Sequence, residues 1–211
     1  MKKNNPWKEI ELSDYENHMK LDSVKQLQAM NSMMKEQFDR YPIKSVMILG
    51  VAGGNGLEHI DTEKFRKVYG VDINSRYLKE CEARYPDLAD VLECLCIDLM
   101  DESIALPYAD MVVANLLIEY IGYQCFQNAI NRIRPAYVSC IIQINTDDSW
   151  VSDSPYLSVF DDLDRVHHQM EEKELADAMK CIGYSLTEQT EQSLPNGKKL
   201  VQLDFCFVDQ Y

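Results

Sequence analysis

The chain alternates between short apolar runs and segments with helical periodicity, and this alternation constrains its fold more than any other feature. Val46-Met47-Ile48-Leu49 is a continuous apolar run that ends in glycines, as expected for a strand buried on both faces of a parallel sheet. Similar runs follow near residues 68–72, 91–97, 109–114 and 137–144, and helices are expected near 57–65, 76–84 and 123–133. The alternation predicts an α/β fold with a parallel, doubly wound sheet and right-handed crossovers.

The C-terminal part of the chain predicts a hairpin. After a helix expected near residues 169–182, two strands are expected near 184–190 and 199–208. Pro195-Asn196-Gly197 lies between them, and Asn-Gly is a strong hairpin signal. The predicted fold class is therefore α/β, with a doubly wound, mostly parallel seven-stranded sheet that carries a C-terminal antiparallel hairpin strand.

The segment before the first strand is predicted to be helical. Apolar residues recur at three- and four-residue spacing between Leu21 and Met34. The same segment contains Trp7, Tyr15 and His18, which are more aromatic and functional groups than a plain surface helix needs. We therefore expect a single structural domain in which residues 1–40 form an N-terminal helical lid and residues 41–211 bind the ligand.

Charge and composition limit the choice of partners. The chain has 21 Lys and Arg against 35 Asp and Glu, and the net charge of −14 disfavours nucleic acid. No apolar run approaches the ~20 residues of a membrane span, and the start does not resemble a secretory signal. Seven cysteines without a CxxC pair favour a reduced compartment. These features predict a cytoplasmic protein without nucleic acid, membrane or metal. They leave either a small molecule or a protein as its partner, and they leave its oligomeric state open.

Polar or glycine residues follow four of the predicted strands. The glycine-rich turn Gly50–Gly56 follows the first, where bare backbone can lie against a ligand. Asp72 ends the second, a position suited to accepting both hydroxyls of a ribose. Asp98 ends the third, placed to accept a hydrogen bond from an adenine amino group, and Asn115 ends the fourth. Because these strand ends share one edge of the sheet, together they predict a nucleoside pocket.

These segments resemble a known family. Residues 48–60, 68–73, 95–99 and 109–121 are similar to the successive motifs of class I S-adenosylmethionine-dependent methyltransferases, and the resemblance covers roughly residues 40–208. It implies S-adenosylmethionine as the cofactor. The cofactor-binding residues that it implies are Gly50, Ala52, Gly53, Gly54, Gly56, Asp72, Ile73, Asp98, Leu99, Asn115 and Leu116.

By this resemblance, Gly54 and Gly56 border the methionine and ribose of the cofactor, and Asn115 faces its methionine end. The chain departs from the family pattern at the start of the turn. The family usually has an acidic residue there and a glycine two positions on, whereas this chain has Gly50 and Ala52. The acid commonly orders the methionine amino group, so another group is needed for that contact. Ala52 is expected to be tolerated if its backbone angles are ordinary.

Two residues are predicted to be catalytic, Glu119 and His18. Glu119 lies just past the fourth strand, where the family often has an acid or a histidine, and His18 lies in the lid segment. Methyl transfer needs a general base only when the acceptor carries a proton that must leave. His167 and His168 are weaker candidates, and each histidine could equally be a capping or surface group.

The segment 145–164 is predicted to shape the acceptor site. It contains Trp150, Tyr156 and Phe160 among acids and serines, directly after the fifth strand. Aromatic faces in an acidic loop suit an apolar or cationic small molecule. The same aromatic residues could instead anchor a long loop to the core.

The predicted function is S-adenosylmethionine-dependent methyl transfer to a small-molecule acceptor, with an oxygen, nitrogen or carbon nucleophile. Two alternatives remain open. A non-catalytic, cofactor-binding regulatory protein of the same fold is supported by the missing turn acid. A nicotinamide-dependent oxidoreductase requires G-x-G-x-x-G, and here His59 occupies the place of the third glycine, where its ring would crowd the helix–strand contact.

Overall fold

The structure, a computed structural model, describes residues 5–145 and 151–208. Within these residues, seven strands form one sheet in the order β3-β2-β1-β4-β5-β7-β6. The strands are β1 (Ser45–Leu49), β2 (Lys67–Asp72), β3 (Leu92–Cys96), β4 (Met111–Asn115), β5 (Tyr137–Ile144), β6 (Tyr184–Ser193) and β7 (Lys199–Phe207). β7 runs antiparallel to both of its neighbours, β5 and β6, and the other neighbouring pairs are parallel. The predicted sheet, with its antiparallel hairpin strand, is confirmed.

Helices cover both faces of the sheet and form the segment before it. In the described residues the α-helices are α1 (Leu12–Met19), α2 (Gln26–Arg40), α3 (Ser75–Arg84), α4 (Ile118–Ile133) and α5 (Glu172–Cys181). Among these residues, no helix has the length and apolar character needed to cross a membrane.

The prediction of a helix near residues 57–65 is wrong. The chain makes only a short 3-10 turn at Leu57–His59 and then becomes extended at Ile60. Asp61 explains why no α-helix continues, because its carboxylate accepts a hydrogen bond from the backbone N–H of Glu63 at 2.8 Å. Such a local side-chain bond offers the backbone an alternative to helix formation.

The position of β1 within the sheet explains why its sequence is apolar at successive positions. Met47 and Leu49 lie in one core cluster, with α4 and α5, and Val46 and Ile48 lie in the other, with α2 and α3. Successive side chains of a strand point to opposite faces, so a strand covered on both sides needs apolar residues at every position.

The helix α2 belongs to the core of the domain. Met34 and Phe38 pack in the same cluster as Val46 of β1. The side chain of Gln37 is fully buried, and its Nε2 donates to Ser139 Oγ of β5 at 2.8 Å. The described part of the segment 1–40 therefore has two parts, because α2 is built into the sheet packing while residues before it, such as Trp7 and Tyr15, line the cavities at the sheet edge.

Candidate functional site

A cavity lies at the carboxyl edge of the sheet, where the strand order reverses between β1 and β4, the usual ligand position in such sheets. We call it the sheet-edge cavity. Most of the predicted cofactor residues line it: Gly50, Ala52, Asp72, Ile73, Asp98, Leu99, Asn115 and Leu116.

Asp72 links the end of β2 to the glycine-rich turn. Its Oδ2 accepts from the backbone N–H of Ala52 at 3.0 Å, and its Oδ1 accepts from the N–H of Asn74 at 2.8 Å. Burial raises the pKa of Asp72, and these backbone N–H groups act in the opposite direction. Each carboxylate oxygen can accept more than one hydrogen bond. The group is therefore held in place with acceptor capacity left for ligand hydroxyls.

The same cavity also combines a second carboxylate, Asp98, with apolar walls. Asp98 is half-buried, and its Oδ1 accepts from the backbone N–H of Met100 at 3.1 Å. Ile97 and Leu99 on either side of it are buried. A carboxylate beside apolar side chains fits a flat base that carries an amino group, so the residues present suit a nucleoside.

The glycine-rich turn is strained at one position that the sequence did not indicate. Gly50 has a φ of 74°, and Ala52 has a φ of 48°, which is the left-handed region. The condition under which Ala52 was expected to be tolerated, ordinary backbone angles, is therefore not met. A left-handed conformation costs an L-residue roughly 1–2 kcal/mol. The hydrogen bond from Ala52 N–H to Asp72 is one interaction that offsets this cost.

Gly54 and Gly56 do not line the sheet-edge cavity, although they were predicted to border the cofactor. A Cβ at Gly54 would lie 2.7 Å from the ring of Tyr85, and one at Gly56 would lie 2.7 Å from Met34 Sδ. In this structure the two glycines allow close packing behind the turn. Gly53 lines a smaller cavity, which shares Gly50 and Ala52 with the sheet-edge cavity.

We expect Gly54→Ala to lower the free energy of unfolding by about 1–3 kcal/mol, because the added methyl group meets Tyr85 and Cys81 in a packed region. Ala52→Gly is the matched control in the same turn. Removing its Cβ relieves the left-handed strain, so its stability should equal that of the wild type or exceed it by up to about 1 kcal/mol. Denaturant unfolding measures both variants. A Gly54→Ala protein as stable as the wild type would contradict the packing role.

A carboxylate reaches the glycine-rich turn from α1. Glu16 lines the smaller cavity, and its Oε1 lies 2.5 Å from where a Cβ of Gly53 would be. Arg84 holds this arrangement, since its Nη2 donates to Glu16 Oε2 at 3.0 Å and its Nη1 donates to the carbonyl oxygen of Gly53 at 3.2 Å. The turn that lacks its own acid thus has one beside it from the N-terminal segment, which sequence spacing could not reveal.

A second cavity adjoins the first, and the two share Trp7, Tyr15, Leu116 and Tyr120 as common walls. We call it the inner cavity. Both residues predicted to be catalytic, Glu119 and His18, line it, and Phe160 of the predicted acceptor segment lines it as well. Trp150 of that segment lies outside the described residues.

Glu119 lies in the first turn of α4 and is 4% exposed. Its Oε1 accepts from the backbone N–H of Gln143 at 2.9 Å. Its Oε2 is buried and has no hydrogen-bond partner among the residues that the structure describes. Burial raises the pKa of the Glu119 carboxyl to about 7, against the opposing effect of the backbone N–H groups. Near neutral pH this group can both accept and release a proton.

Two histidines lie at the same cavity. His18 is buried, its Nδ1 is 2.8 Å from Ser154 Oγ, and its ring centroid is 4.8 Å from that of Phe160. Burial lowers the pKa of His18. Burial, followed by the neighbouring His168, lowers the pKa of His167 to about 4. Both rings are therefore neutral at physiological pH.

Asn115 is held by a partner that the sequence analysis did not identify. Its Nδ2 donates to Gln37 Oε1 at 2.9 Å, and its Oδ1 accepts from Gln37 Nε2 at 3.1 Å. Gln37 also bonds to Ser139, whose hydroxyl donates to the buried Asp204. A glutamine on the apolar face of a helix was the available signal, but its partners are 78 and 102 residues away in the chain.

No family model and no curated protein sequence matches this chain. Solved structures do match. The N-methyltransferase NodS from Bradyrhizobium japonicum, in complex with S-adenosylhomocysteine, is 11% identical, with a TM-score of 0.68 over 98% of this chain and 100% of that one. Geranyl diphosphate methyltransferase in complex with S-adenosylmethionine is 11% identical, with a TM-score of 0.64 over 85% of each chain. The [4+2]-cyclase SpnF is 8% identical, with a TM-score of 0.65 over 87% of this chain and 82% of that one.

At these identities the likeness defines the fold. The chain has the fold of the class I S-adenosylmethionine-dependent methyltransferases, as the resemblance of its strand-end motifs implied. The cavity at the carboxyl edge of the sheet lies where this fold places its ligands.

Proposed function

We propose that the chain binds S-adenosylmethionine in the sheet-edge cavity and transfers its methyl group to a small molecule in the inner cavity. One observation carries the proposal above the others. The carboxylate of Asp72 is fixed against the glycine-rich turn by Ala52 N–H and lies in the same cavity as Asp98 and Leu99. A fixed carboxylate for ribose hydroxyls and a second one beside apolar walls for adenine form a nucleoside site.

The bound cofactor would supply an electrophilic methyl group on a sulfonium centre. Of this chain's residues, Glu16 lines the smaller cavity beside the turn that lacks its own acid. It is proposed to accept a hydrogen bond from the methionine amino group. Trp7 and Tyr15 line both cavities, and we propose that they help to exclude water, which favours transfer from a charged sulfonium. Glu119 is proposed as the group that takes a proton from the acceptor, and His18 as a group that positions the acceptor.

Calorimetry with three ligands tests this function. S-adenosylmethionine and S-adenosylhomocysteine should bind, and NAD should not, because the glycine pattern of a dinucleotide site is absent from the turn 50–56. NAD binding alone would contradict the proposal. Because the similar protein SpnF is named for a cyclisation, binding must be followed by an assay for methyl transfer. Binding without transfer to any acceptor in a metabolite panel would favour the regulatory alternative.

The lid is proposed to be residues 5–20, because α2 packs in the core. Backbone carbonyls and ion pairs attach this segment to α3. Tyr77 donates to the carbonyl oxygen of Ile10 at 2.9 Å, and Arg76 pairs with Glu11. The Arg76–Glu11 pair is exposed, and surface ion pairs of this kind are individually weak and can open. Amides of α1 are expected to exchange more slowly with solvent once S-adenosylhomocysteine is bound.

We expect Glu16→Gln to weaken binding of S-adenosylmethionine at least ~10-fold, about 1.4 kcal/mol. The change removes the charge that faces the turn and the ion pair with Arg84. Glu11→Gln is the matched control. Glu11 lies on the same N-terminal segment as Glu16 and pairs with Arg76 of α3, but it does not line the cavities. An exposed pair contributes at most about 1 kcal/mol, so Glu11→Gln should change the Kd by less than about fivefold. If calorimetry showed the same loss of affinity for both variants, Glu16 would serve only to hold the lid in place.

A further inference from the structure

Glu119 lines the inner cavity, and one of its carboxylate oxygens is buried without a hydrogen-bond partner among the described residues. Glu119 is 4% exposed, its Oε1 is used by the N–H of Gln143, and its Oε2 meets no hydrogen-bond donor in the described part of the chain. Buried acceptors in folded proteins are normally satisfied, and exceptions often mark a functional site. A ligand that brings a donor to this oxygen completes the arrangement.

We infer that the inner cavity binds a small organic ammonium ion, with an N–H of the ammonium group donating to Glu119 Oε2. The inference rests on the proposed function, in which this cavity holds the methyl acceptor, and it assigns that acceptor to the class of small amines.

The charges around the inner cavity select a cation. Glu119 is the only Asp or Glu among the described residues that line it, and no Lys or Arg lines it within those residues. The two lining histidines, His18 and His167, have lowered pKa values and carry no positive charge at neutral pH. An anionic acceptor would meet a carboxylate without a compensating cation, whereas an ammonium ion would meet its counter-ion.

The walls of the cavity suit the organic part of such a ligand. Trp7 and Tyr120 meet edge to face, with ring centroids 4.9 Å apart, and Phe160 and Tyr15 add two further rings. Aromatic faces attract organic cations electrostatically and bury their apolar surface. A small ammonium ion with an apolar body therefore matches both the charge and the walls.

Several titratable groups surround Glu119. From α1 they are Tyr15 and His18, from α4 Tyr120 and Tyr123, from β5 Cys140, and from the loop before α5 His167, on which Asp164 and Lys198 also act. Burial raises the pKa values of these tyrosines and of Cys140, so they stay neutral near pH 7. Glu119 is therefore the group that exchanges a proton with the ligand.

After binding, a proton can pass from the ammonium ion to Glu119. An N–H bond of the ammonium ion breaks, an O–H bond forms on Glu119, and the electron pair stays on nitrogen. The nitrogen then carries the free pair that a methyl acceptor needs. A carboxyl group with a pKa near neutrality can make this exchange in both directions.

Calorimetry with benzylamine, benzyl alcohol and benzoate tests the inference, because the three differ chiefly in charge. Benzylammonium should bind at least about 10-fold more tightly than the other two. At about pH 6.5, its binding to the partly protonated Glu119 should release protons, seen as a binding enthalpy that depends on the buffer's ionisation enthalpy. Glu119→Gln should lose both the preference for the cation and the proton release. Glu102 is an exposed carboxylate, so Glu102→Gln should retain both.

Equal or tighter binding of benzyl alcohol or benzoate to the wild-type protein, or no binding of benzylammonium, would overturn the inference without any variant. Each titration is repeated with S-adenosylhomocysteine present. If benzylammonium binds with the expected preference but neither S-adenosylmethionine nor its product binds, the proposed function fails and the ammonium site stands. If the cofactor binds and the preference for the cation is absent, the ammonium site alone is wrong.

Discussion

Asp72→Ala should weaken binding of S-adenosylmethionine by about 1–3 kcal/mol, the cost of leaving buried hydrogen-bonding groups unpaired. This corresponds to a roughly 5- to 150-fold rise in Kd. The loss has two sources, since the carboxylate faces the cavity and also holds the backbone N–H groups of Ala52 and Asn74. Asp72→Asn keeps an oxygen acceptor and should lose less affinity than Asp72→Ala.

Asp61→Ala is the control for the Asp72 variants. Asp61 also accepts a backbone N–H bond in a turn, but it does not line the sheet-edge cavity. Its removal should leave the Kd from calorimetry unchanged. If Asp72→Ala bound the cofactor as tightly as the wild type while remaining folded by circular dichroism, Asp72 would have no role in the pocket. The whole assignment of strand ends to cofactor groups would then be lost.

Glu119→Gln should change how the stability of the protein depends on pH. Burial raises the pKa of Glu119 from 4.5 to about 7. Its stabilising contribution is therefore fully present below about pH 4.5 and is lost as pH rises to about 7. The free energy of unfolding loses about 3 kcal/mol from this group over the whole pH range, since each pKa unit corresponds to about 1.4 kcal/mol. Glutamine keeps an oxygen for the N–H of Gln143 and does not ionise.

Denaturant unfolding at about pH 5 and about pH 8 measures this effect. Between these values the stability of Glu119→Gln relative to the wild type should rise by about 2–3 kcal/mol. Glu102→Gln removes an exposed carboxylate and should show no such rise. A pH-independent difference for Glu119→Gln would mean that a partner stabilises the charged form of Glu119 in the native protein.

The strands could be predicted because their signal is local. A strand buried on both faces requires apolar residues at each position, and parallel strands require connections that return to the same edge. The positions of Asp72 and Asp98 at that edge follow directly. The missing helix after β1 was not predicted, because apolar spacing near residues 57–65 resembles a helix while a single side-chain bond from Asp61 favours a turn.

The strain at Ala52 and the role of Gly54 depend on neighbours that are distant in sequence. Ala52 takes a left-handed conformation where its N–H meets Asp72, 20 residues away. Gly54 meets Tyr85 and Cys81 of the segment around α3. Residue type indicates that a turn can adopt such angles, but only the packed structure shows which residue adopts them and which side faces the ligand.

The sequence alone was enough to predict the α/β sheet with its hairpin, and the polar groups that meet at the edge of the sheet where the cavity lies. It was enough because hydrophobic periodicity and strand direction are properties of short segments. Only the tertiary structure brought Glu16 to the glycine-rich turn and joined Trp7, Tyr15 and Glu119 around the inner cavity. It also left one carboxylate oxygen of Glu119 buried and unpaired within the described residues. These features arise where segments distant in sequence meet, because burial and pairing depend on contacts between segments rather than on the residues within one.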